Sequence, residues 1–475
     1  MRKDGRVAPI DRLSALDAAF LDLETPRAPL HVGWTLRFGG APPSIAVLRR
    51  HLDARLDRVP RFRRRLAALA GGPAWIDDPA FDVGHHVHHV SLWAPGGAAQ
   101  LRETAAVLLG QPLDHSRPLW RMYLVDELAG GGFAIVGQAH HALVDGIAAI
   151  EVAMLLFDDG SGSAPSTWRP AAAPTAARAA GESARARLGG GARALTAAAR
   201  GAGHPGAGAA ALRGAADALA AVASPAAPTA LDRSVGSARV VAFGDAPLDD
   251  LRDAGRRRGA TVNDVLLTAT ALALGRALAR RGERPHALKA LVPVSVREPG
   301  TGTRLGNAIS FAAVALPLRE TDPTAVLRTV RDRTRAAKHD GAVGALAALA
   351  GAGDLLPSPG RRAVARTAAR VASFNAVVSN VPGPPLPLTL LGRPLRSMHP
   401  AVPLLDGHGL SIGGLSYAGR VHIGVYADAA VLPDAVEVAR DIESALDALR
   451  LAPLRQAPGA TPWRRRARTR RQRAA

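Results

Sequence analysis

Residues 133–146 read FAIVGQAHHALVDG. The apolar run Phe133–Ala139 follows Gly131 and Gly132 and predicts a central β-strand. Residues 147–157 are rich in alanine, leucine and isoleucine and predict a helix. The two adjacent histidines and the following aspartate and glycine are therefore expected in the turn between a buried strand and a helix.

A histidine at the end of a buried strand can supply a neutral imidazole, which suits a general base near neutral pH. Strand geometry sends His140 and His141 to opposite faces, so only one of them can point into a given cleft. Asp145 can lock the turn by ion pairing, and Gly146 permits close approach or a positive φ. Metal ligation and a purely structural histidine pair are the alternatives, although opposite faces suit a shared metal poorly.

Working outward, alternation in 31–38 predicts a strand, and Ser44 caps a helix that Pro60 ends. Residues 158–230 shift to alanine, glycine, proline, serine and arginine, which indicates a linker. The second half predicts helices over 264–279, 326–338 and from Pro433 onward, and strands over 239–243, 288–296, 310–318, 374–379, 410–416 and 421–426.

This pattern predicts an α+β protein with two lobes of similar character. We expect an N-terminal lobe over 1–157, a crossover linker over 158–230, a C-terminal lobe over 231–455 and a basic disordered tail over 456–475.

The composition limits the function classes. The chain has 475 residues with 48% hydrophobic content, enough for sizeable cores, and it contains no cysteine. Nucleophilic cysteine chemistry, disulfides and thiolate metal sites are therefore excluded. The charged N-terminus lacks a signal-peptide pattern, and the apolar stretch 341–353 is too short to cross a bilayer. We expect a cytoplasmic protein that meets a membrane or lipid droplet only at its surface.

The net charge of +20 raises the question of a polyanionic partner. Seven arginines crowd between Arg464 and Arg473, where Trp463 is the one neighbouring aromatic residue. This distribution favours a solvated tail or a contact with anionic lipid over nucleic-acid binding.

A second group of histidines, His85, His86, His88 and His89, invites comparison with a zinc site. The spacing also fits an edge strand whose two faces both carry histidine, and such a strand gives no converging ligands. We expect no metal site here.

Several motifs in this order resemble the bacterial wax ester synthase/acyl-CoA:diacylglycerol acyltransferase family, over nearly the whole chain. The order and spacing of the set are more specific than the double-histidine motif, which peptide-synthetase condensation domains and chloramphenicol-acetyltransferase-like enzymes share. The motifs are LSALDAAFL (13–21), PLHVG (29–33), PLDHSR (112–117), PLW (118–120), HHALVDG (140–146), TVNDV (261–265), VPVSVR (292–297), LGN (305–307), SNVPGP (379–384), the SYAG segment at 416–419 and PD (433–434).

The resemblance implies a two-lobed chloramphenicol-acetyltransferase-like fold with an active-site tunnel between the lobes. It implies that His141 is the general base, with His140, Asp145 and Gly146 completing the motif. Acyl-CoA would be a substrate, with no resident cofactor and no metal. The acceptor would be the hydroxyl of diacylglycerol, a fatty alcohol, or both, and the acyl group would pass directly without an acyl-enzyme.

The resemblance also suggests supporting residues, each with a structural alternative. Asp145 would pair with Arg297, which could instead be a solvated strand end. Asn263 and Asp264 would support the active site, although an N-cap and a first-turn acid would explain them equally. Pro118, Leu119 and Trp120 would belong to the tunnel wall, since none of their side chains transfers protons.

Two departures from the family pattern, Leu231-Asp232 and Leu410-Ser411, concern the crossover and the acceptor side rather than the proposed base. Two other functions compete with esterification. One is a condensation-type acyltransferase with a carrier-protein donor. The other is a non-catalytic protein that binds storage lipid.

Overall fold

The computed structural model describes residues 10–144, 157–158, 166–185, 188, 216–217, 220, 222–295, 309–339, 356 and 358–452. Several predicted features lie outside these residues: Asp145, Gly146, Arg297, most of the helix expected over 147–157, and the basic tail over 456–475.

The described strands fall into two six-stranded sheets and one small three-stranded sheet. In chain order they are β1 Asp11–Arg12, β2 His31–Phe38, β3 Arg64–Leu69, β4 Gly72–Asp77, β5 Val87–Ser91, β6 Trp120–Asp126, β7 Phe133–His140, β8 Arg239–Pro247, β9 Ala287–Ser295, β10 Ile309–Pro317, β11 Ala376–Pro382, β12 Thr389–Leu390, β13 Arg393–Ala401, β14 Leu410–Tyr417 and β15 Arg420–Asp428.

Eight helices among the described residues pack on these sheets or on one another. They are α1 Ala15–Leu23, α2 Ile45–Arg55, α3 Ala98–Gly110, α4 Leu248–Arg256, α5 Val262–Arg280, α6 Pro323–His339, α7 Ser358–Val371 and α8 Ala435–Leu451.

The first sheet has the order β12-β13-β2-β7-β6-β5. Strand β7 lies between β2 and β6, and all eight of its residues are buried. A strand buried along its whole length needs hydrogen-bond partners for its backbone amides and carbonyls on both edges. Pairing with a strand on each side supplies them. The central strand predicted from 133–139 is confirmed, and its last residue is His140.

The second sheet has the order β10-β9-β11-β14-β15-β8. Strands β14 and β15 form the predicted hairpin, and its turn residues Ala418 and Gly419 have φ of 44° and 82°. Positive φ at both central positions matches the right-handed twist of the flanking strands. Helices α5 and α8 cover this sheet with a continuous apolar core.

Helix α5 corrects one detail of the sequence interpretation. The structural alternative to an active-site role makes Asn263 the N-cap, but the N-cap is Thr261, whose hydroxyl accepts from the amide of Asp264. Threonine and asparagine both serve at this position, so the choice depends on where the backbone turns. By length and composition α5 could cross a membrane, but 72% of its most apolar window is buried inside the protein. It is the core helix of the second lobe.

The ends of two other helices differ from expectation. Helix α2 keeps its predicted N-cap, Ser44, but ends at Arg55, and 3₁₀ turns follow before β3. Helix α8 begins two residues after Pro433, and Val436 is only partly buried while Val438 faces the core. In both cases local packing shifts an element whose existence the sequence predicts correctly.

Strand β13 joins the two lobes. It comes late in the chain, yet it pairs with β2 of the first sheet and also packs across β14 and β15 of the second. Glycine permits this close crossing, because a Cβ at Gly424 would stand 1.8 Å from the carbonyl oxygen of Pro400. We therefore propose 231–455 as the C-terminal lobe, with β13 and the short β12 beside it contributed to the first sheet.

Candidate active site

The backbone of the double-histidine segment is fixed by neighbours from two directions. The amide of His140 donates to the carbonyl of Leu119 at 2.9 Å, and the amide of His141 donates to the carbonyl of Leu30 at 3.0 Å. The chain then turns, with the amide of Leu143 donating back to the carbonyl of His140 at 2.8 Å. His141 therefore sits on a turn anchored to the end of the central strand.

The imidazole of His141 is held by an aromatic contact. Its ring stacks on Phe20 with a centroid separation of 4.0 Å and an interplanar angle of 14°. Phe20 lies on α1, whose N-terminus is fixed by a reciprocal cap between Ser14 and Asp17. His141 is only partly buried, so one face of its ring is covered while the residue keeps some exposure.

His140 is fully buried, and its surroundings define its tautomer. The amide of Ala142 donates to Nδ1 of His140 at 3.0 Å, so Nδ1 carries no proton. The proton of the neutral ring then lies on Nε2, which faces Oε2 of Glu24 at 3.5 Å. At this distance the contact is electrostatic, and Nε2 makes no direct hydrogen bond with any described residue. Burial lowers the pKa of His140, which favours this neutral form.

Glu24 is the centre of a histidine cluster, which we call the Glu24 cluster: Glu24, His31, His115 and His140. Oε2 of Glu24 also accepts from Nε2 of His115 at 2.7 Å, and Oε1 lies 3.9 Å from Nε2 of His31. Burial acts to raise the pKa of Glu24, but the interactions with His115 and His140 outweigh it and lower the pKa to about 2. The carboxylate is therefore ionised throughout the physiological range.

The pKa values of the two other histidines of the Glu24 cluster are shifted in opposite directions. The hydrogen bond to Glu24 raises the pKa of His115, whose side chain is half-exposed. Burial lowers the pKa of His31 to about 3. Protonation is thus favoured at His115, on the solvent side of the carboxylate. The buried rings of His31 and His140 remain neutral.

Metal ligation finds no geometric support in the described part of the chain, where no three histidine or acidic side chains converge as ligands would. In the second histidine group, strand β5 lies at the edge of the first sheet, but only His88 and His89 belong to it, because a 3₁₀ turn contains His85 and is capped by His86. Nδ1 of His86 contacts the carbonyl oxygen of Trp120 at 2.9 Å, and His89 pairs with Asp126 at 2.6 Å. These two rings therefore have separate partners, both on β6.

Trp120 belongs to the core of the first lobe. Its indole Nε1 donates to the carbonyl of Phe62 at 2.7 Å, and its ring stacks on His86 with centroids 4.6 Å apart. Leu119 is fully buried and holds His140 through its carbonyl. The Pro118-Leu119-Trp120 segment thus supports the strand that ends in the double histidine, and a place in a tunnel wall stays a prediction.

Asp264 has the contacts of a capping residue. Its carboxylate accepts from both the amide and the hydroxyl of Thr261 at 2.8 Å, and its other oxygen accepts from Thr334 at 2.6 Å. These bonds cap α5 and tie it to α6. Asn263 occupies the first turn of the same helix and is partly buried. Support of the active site by either residue stays a prediction.

Sequence reasoning gave no role to Phe20, Glu24, His31 or His115, although three of the four lie inside motifs that it quoted. Glu24 contacts residues 91 and 116 positions further along the chain, His115 and His140. No spacing rule connects a lone acid at a helix end to such partners. The one available signal was the position of Glu24, an acidic residue between the motifs at 13–21 and 29–33.

Two models of known protein families match most of this chain. A model described as the wax ester synthase/diacylglycerol acyltransferase catalytic domain matches residues 13–266, and a model of the WS/DGAT C-terminal domain matches residues 305–450. A probable diacylglycerol O-acyltransferase of Mycobacterium tuberculosis H37Rv is 33% identical over 92% of this chain and 95% of its own length. A second putative enzyme of that strain is 31% identical over 93% and 90%.

Solved structures show the same fold. The wax ester synthase/diacylglycerol acyltransferase from Marinobacter aquaeolei VT8 superposes with a TM-score of 0.65 at 25% identity, covering 92% of this chain and 98% of its own. The starter condensation domain of rhizomide synthetase, solved with C8-CoA, gives a TM-score of 0.58 at 17% identity over 93% and 95%. These likenesses confirm the predicted two-lobed α+β fold.

Proposed function

Because this chain belongs to the wax ester synthase/diacylglycerol acyltransferase family and is an acyltransferase, we propose that it moves a long-chain acyl group from acyl-CoA to a lipid hydroxyl. The acceptor is diacylglycerol, a fatty alcohol, or both. The first product would be a triacylglycerol and the second a wax ester. The named activities of the mycobacterial relatives support the diacylglycerol arm of this proposal.

One observation supports His141 as the general base more than any other: both its backbone and its imidazole are held in place by neighbouring residues. Its backbone is bonded to Leu30, and its ring is stacked on Phe20. A fixed imidazole placed beside an acceptor hydroxyl can remove its proton as the oxygen attacks, a contribution of about 10²- to 10⁴-fold in rate.

In the proposed reaction the acceptor oxygen loses its proton to His141 and attacks the thioester carbonyl. The carbon–sulfur bond then breaks, and the imidazolium returns the proton to the leaving thiolate, so that free CoA and the ester are released. The chain has no cysteine that could carry the acyl group. We propose direct transfer without an acyl-enzyme, in which holding donor and acceptor together supplies much of the rate.

Two residues outside the described part complete the proposed motif. Asp145 would pair with Arg297 of the other lobe, and Gly146 would let the chain enter the following helix. Displacement at a thioester is a polar reaction whose proton transfers an imidazole can perform. We therefore propose acyl-CoA as a substrate and no resident cofactor or metal.

We further propose that the enzyme works in the cytoplasm at the surface of a membrane or lipid droplet. Its substrates would be lipids, and the arginine-rich segment 464–473 offers charge for anionic headgroups. Nucleic acid is not proposed as a partner, since this charge is concentrated at one end with a single neighbouring aromatic residue.

Release of free thiol from palmitoyl-CoA by the purified enzyme tests this function. We expect release to depend on an added hydroxyl lipid and to be several-fold faster with diacylglycerol or hexadecanol than with neither. Apolar tunnels separate neighbouring chain lengths by only about 1 to 3 kcal/mol, so several acyl-CoA lengths should serve.

Two results would contradict the proposal. Turnover only with an acyl carrier protein as donor would indicate a condensation-type enzyme. Saturable lipid binding without thiol release under any condition would indicate a non-catalytic lipid-binding protein.

A further inference from the structure

Helix α1 reaches both histidines of the motif from its last turn. Phe20 stacks on His141, and Glu24, the C-cap of α1, faces His140. We propose that Glu24 is a positioning residue that fixes the tautomer of His140 and, through it, the turn that presents His141. This inference rests on the proposed role of His141 as the base.

The tautomer is the first step of the argument. Nδ1 of His140 can accept the amide of Ala142 only if it carries no proton. The neutral ring must then carry its proton on Nε2, and a group that accepts from Nε2 stabilises this form over the other. The carboxylate of Glu24 faces Nε2 at 3.5 Å, and because it is ionised it attracts an N–H and cannot donate a proton of its own.

Burial makes the acceptor necessary. His140 has no exposed surface, and its Nε2–H makes no direct hydrogen bond with a described residue, so the ionised carboxylate of Glu24 at 3.5 Å is what stabilises it. Removing this charge would leave the buried donor with neither a hydrogen bond nor a facing carboxylate, a cost that favours rotation of the ring or a change of tautomer. Either response removes the acceptor from the amide of Ala142.

That amide belongs to the peptide bond between His141 and Ala142. Fixing this peptide restricts ψ of His141 and thus the direction in which its imidazole leaves the backbone. Phe20 limits the ring from the side. A general base acts only within hydrogen-bond reach of the acceptor hydroxyl, so a small rotation of the turn would lower its rate.

The charges around His140 agree with this arrangement. Glu24 faces it as a carboxylate, His115 bonds to that carboxylate from the solvent side, and His31 lies edge-on with ring centroids 5.8 Å from His140. Asp17, which caps α1, is the other acidic group acting on His140. Burial still keeps His140 neutral, so Nδ1 remains free of a proton to accept from Ala142.

The experiment compares Glu24→Ala and Glu24→Gln in the full-length enzyme. We expect Glu24→Ala to lower kcat by about 10- to 100-fold, with KM for palmitoyl-CoA changed less than threefold, by analogy with the loss that follows removal of a partner that orients a metal-bound histidine. Glu24→Gln keeps one accepting oxygen and should recover part of this loss. Asp22→Asn is the matched control, because Asp22 lies on the same helix and pairs with the half-exposed Arg362 instead.

A double-mutant comparison separates positioning from general damage. In a His141→Ala background, Glu24→Ala should cause less than a twofold further loss, because residues that act as one unit are not additive. An equal loss in both backgrounds would overturn the proposal. If His141→Ala itself retains wild-type activity, the proposed function fails, and that result is distinct from any effect of Glu24.

Imidazole ¹⁵N spectra give a readout that does not depend on activity. Wild type should show His140, assigned with a His140→Gln variant, as a neutral ring with an unprotonated Nδ1. Glu24→Ala should shift or broaden that Nδ1 signal, while Asp22→Asn leaves it in place. An unchanged tautomer in Glu24→Ala would overturn the proposal even if kcat falls.

Discussion

Replacing His141 by alanine is expected to lower acceptor-dependent ester formation by about 10²- to 10⁴-fold, the range that a positioned general base contributes. The loss should fall on kcat, because the imidazole acts on the reacting hydroxyl and not on the acyl chain or CoA. Steady-state rates with palmitoyl-CoA and each lipid acceptor measure it.

His85→Ala provides the control for this experiment, since His85 lies at the end of a short 3₁₀ turn and is not buried. It should change the rate less than twofold, as substitutions away from the core and the site usually do. Both variants should keep the thermal unfolding midpoint near that of wild type. Equal rates for His141→Ala and His85→Ala would rule out His141 as the base.

The second large effect concerns stability. Gly424→Ala should lower the free energy of unfolding by about 3 kcal/mol, the upper end of the usual cost of overpacking. The added Cβ would stand 1.8 Å from the carbonyl oxygen of Pro400, and a backbone oxygen cannot rotate away as a side chain can. Strand β13 would have to move off β15, which would disturb the contact between the two lobes.

Urea denaturation followed by far-ultraviolet circular dichroism measures this change. Gly360→Ala is the matched control, because Gly360 lies in α7 and a Cβ added there would meet no described atom within 4 Å. Alanine there should be neutral or stabilise by about 0.5 to 1 kcal/mol. A Gly424→Ala midpoint equal to that of Gly360→Ala would show that the crossing strand tolerates the added atom.

Local pattern was enough to predict much of the fold. The apolar run that became β7, the long helix α5 and the hairpin of β14 and β15 each carry their own signal in spacing, capping and turn residues. Strand β13 carries no such signal. It contains Pro394 and Pro400, lacks clean alternation, and gains its place only by pairing with β2 and crossing the second sheet.

The candidate site divides in the same way. His140 and His141 follow from a short motif, because a strand end and a turn are local features. The Glu24 cluster depends on three segments that meet only in the folded chain, so the sequence motifs include His31, His115 and His140 but assign no role to Glu24, His31 or His115. Trp120 lies in a motif that the sequence does reveal, but its contacts with Phe62 and His86 in the core are visible only in the structure.

A rapid-quench experiment with labelled palmitoyl-CoA, run on wild type and His141→Ala, tests the central claim most directly. Direct transfer by His141 predicts no label on the protein without an acceptor, no burst of thiol, and ester formation in wild type only when diacylglycerol or hexadecanol is present. Stoichiometric label on the protein that passes into ester when acceptor is added, or ester formation at the wild-type rate by His141→Ala, would contradict it.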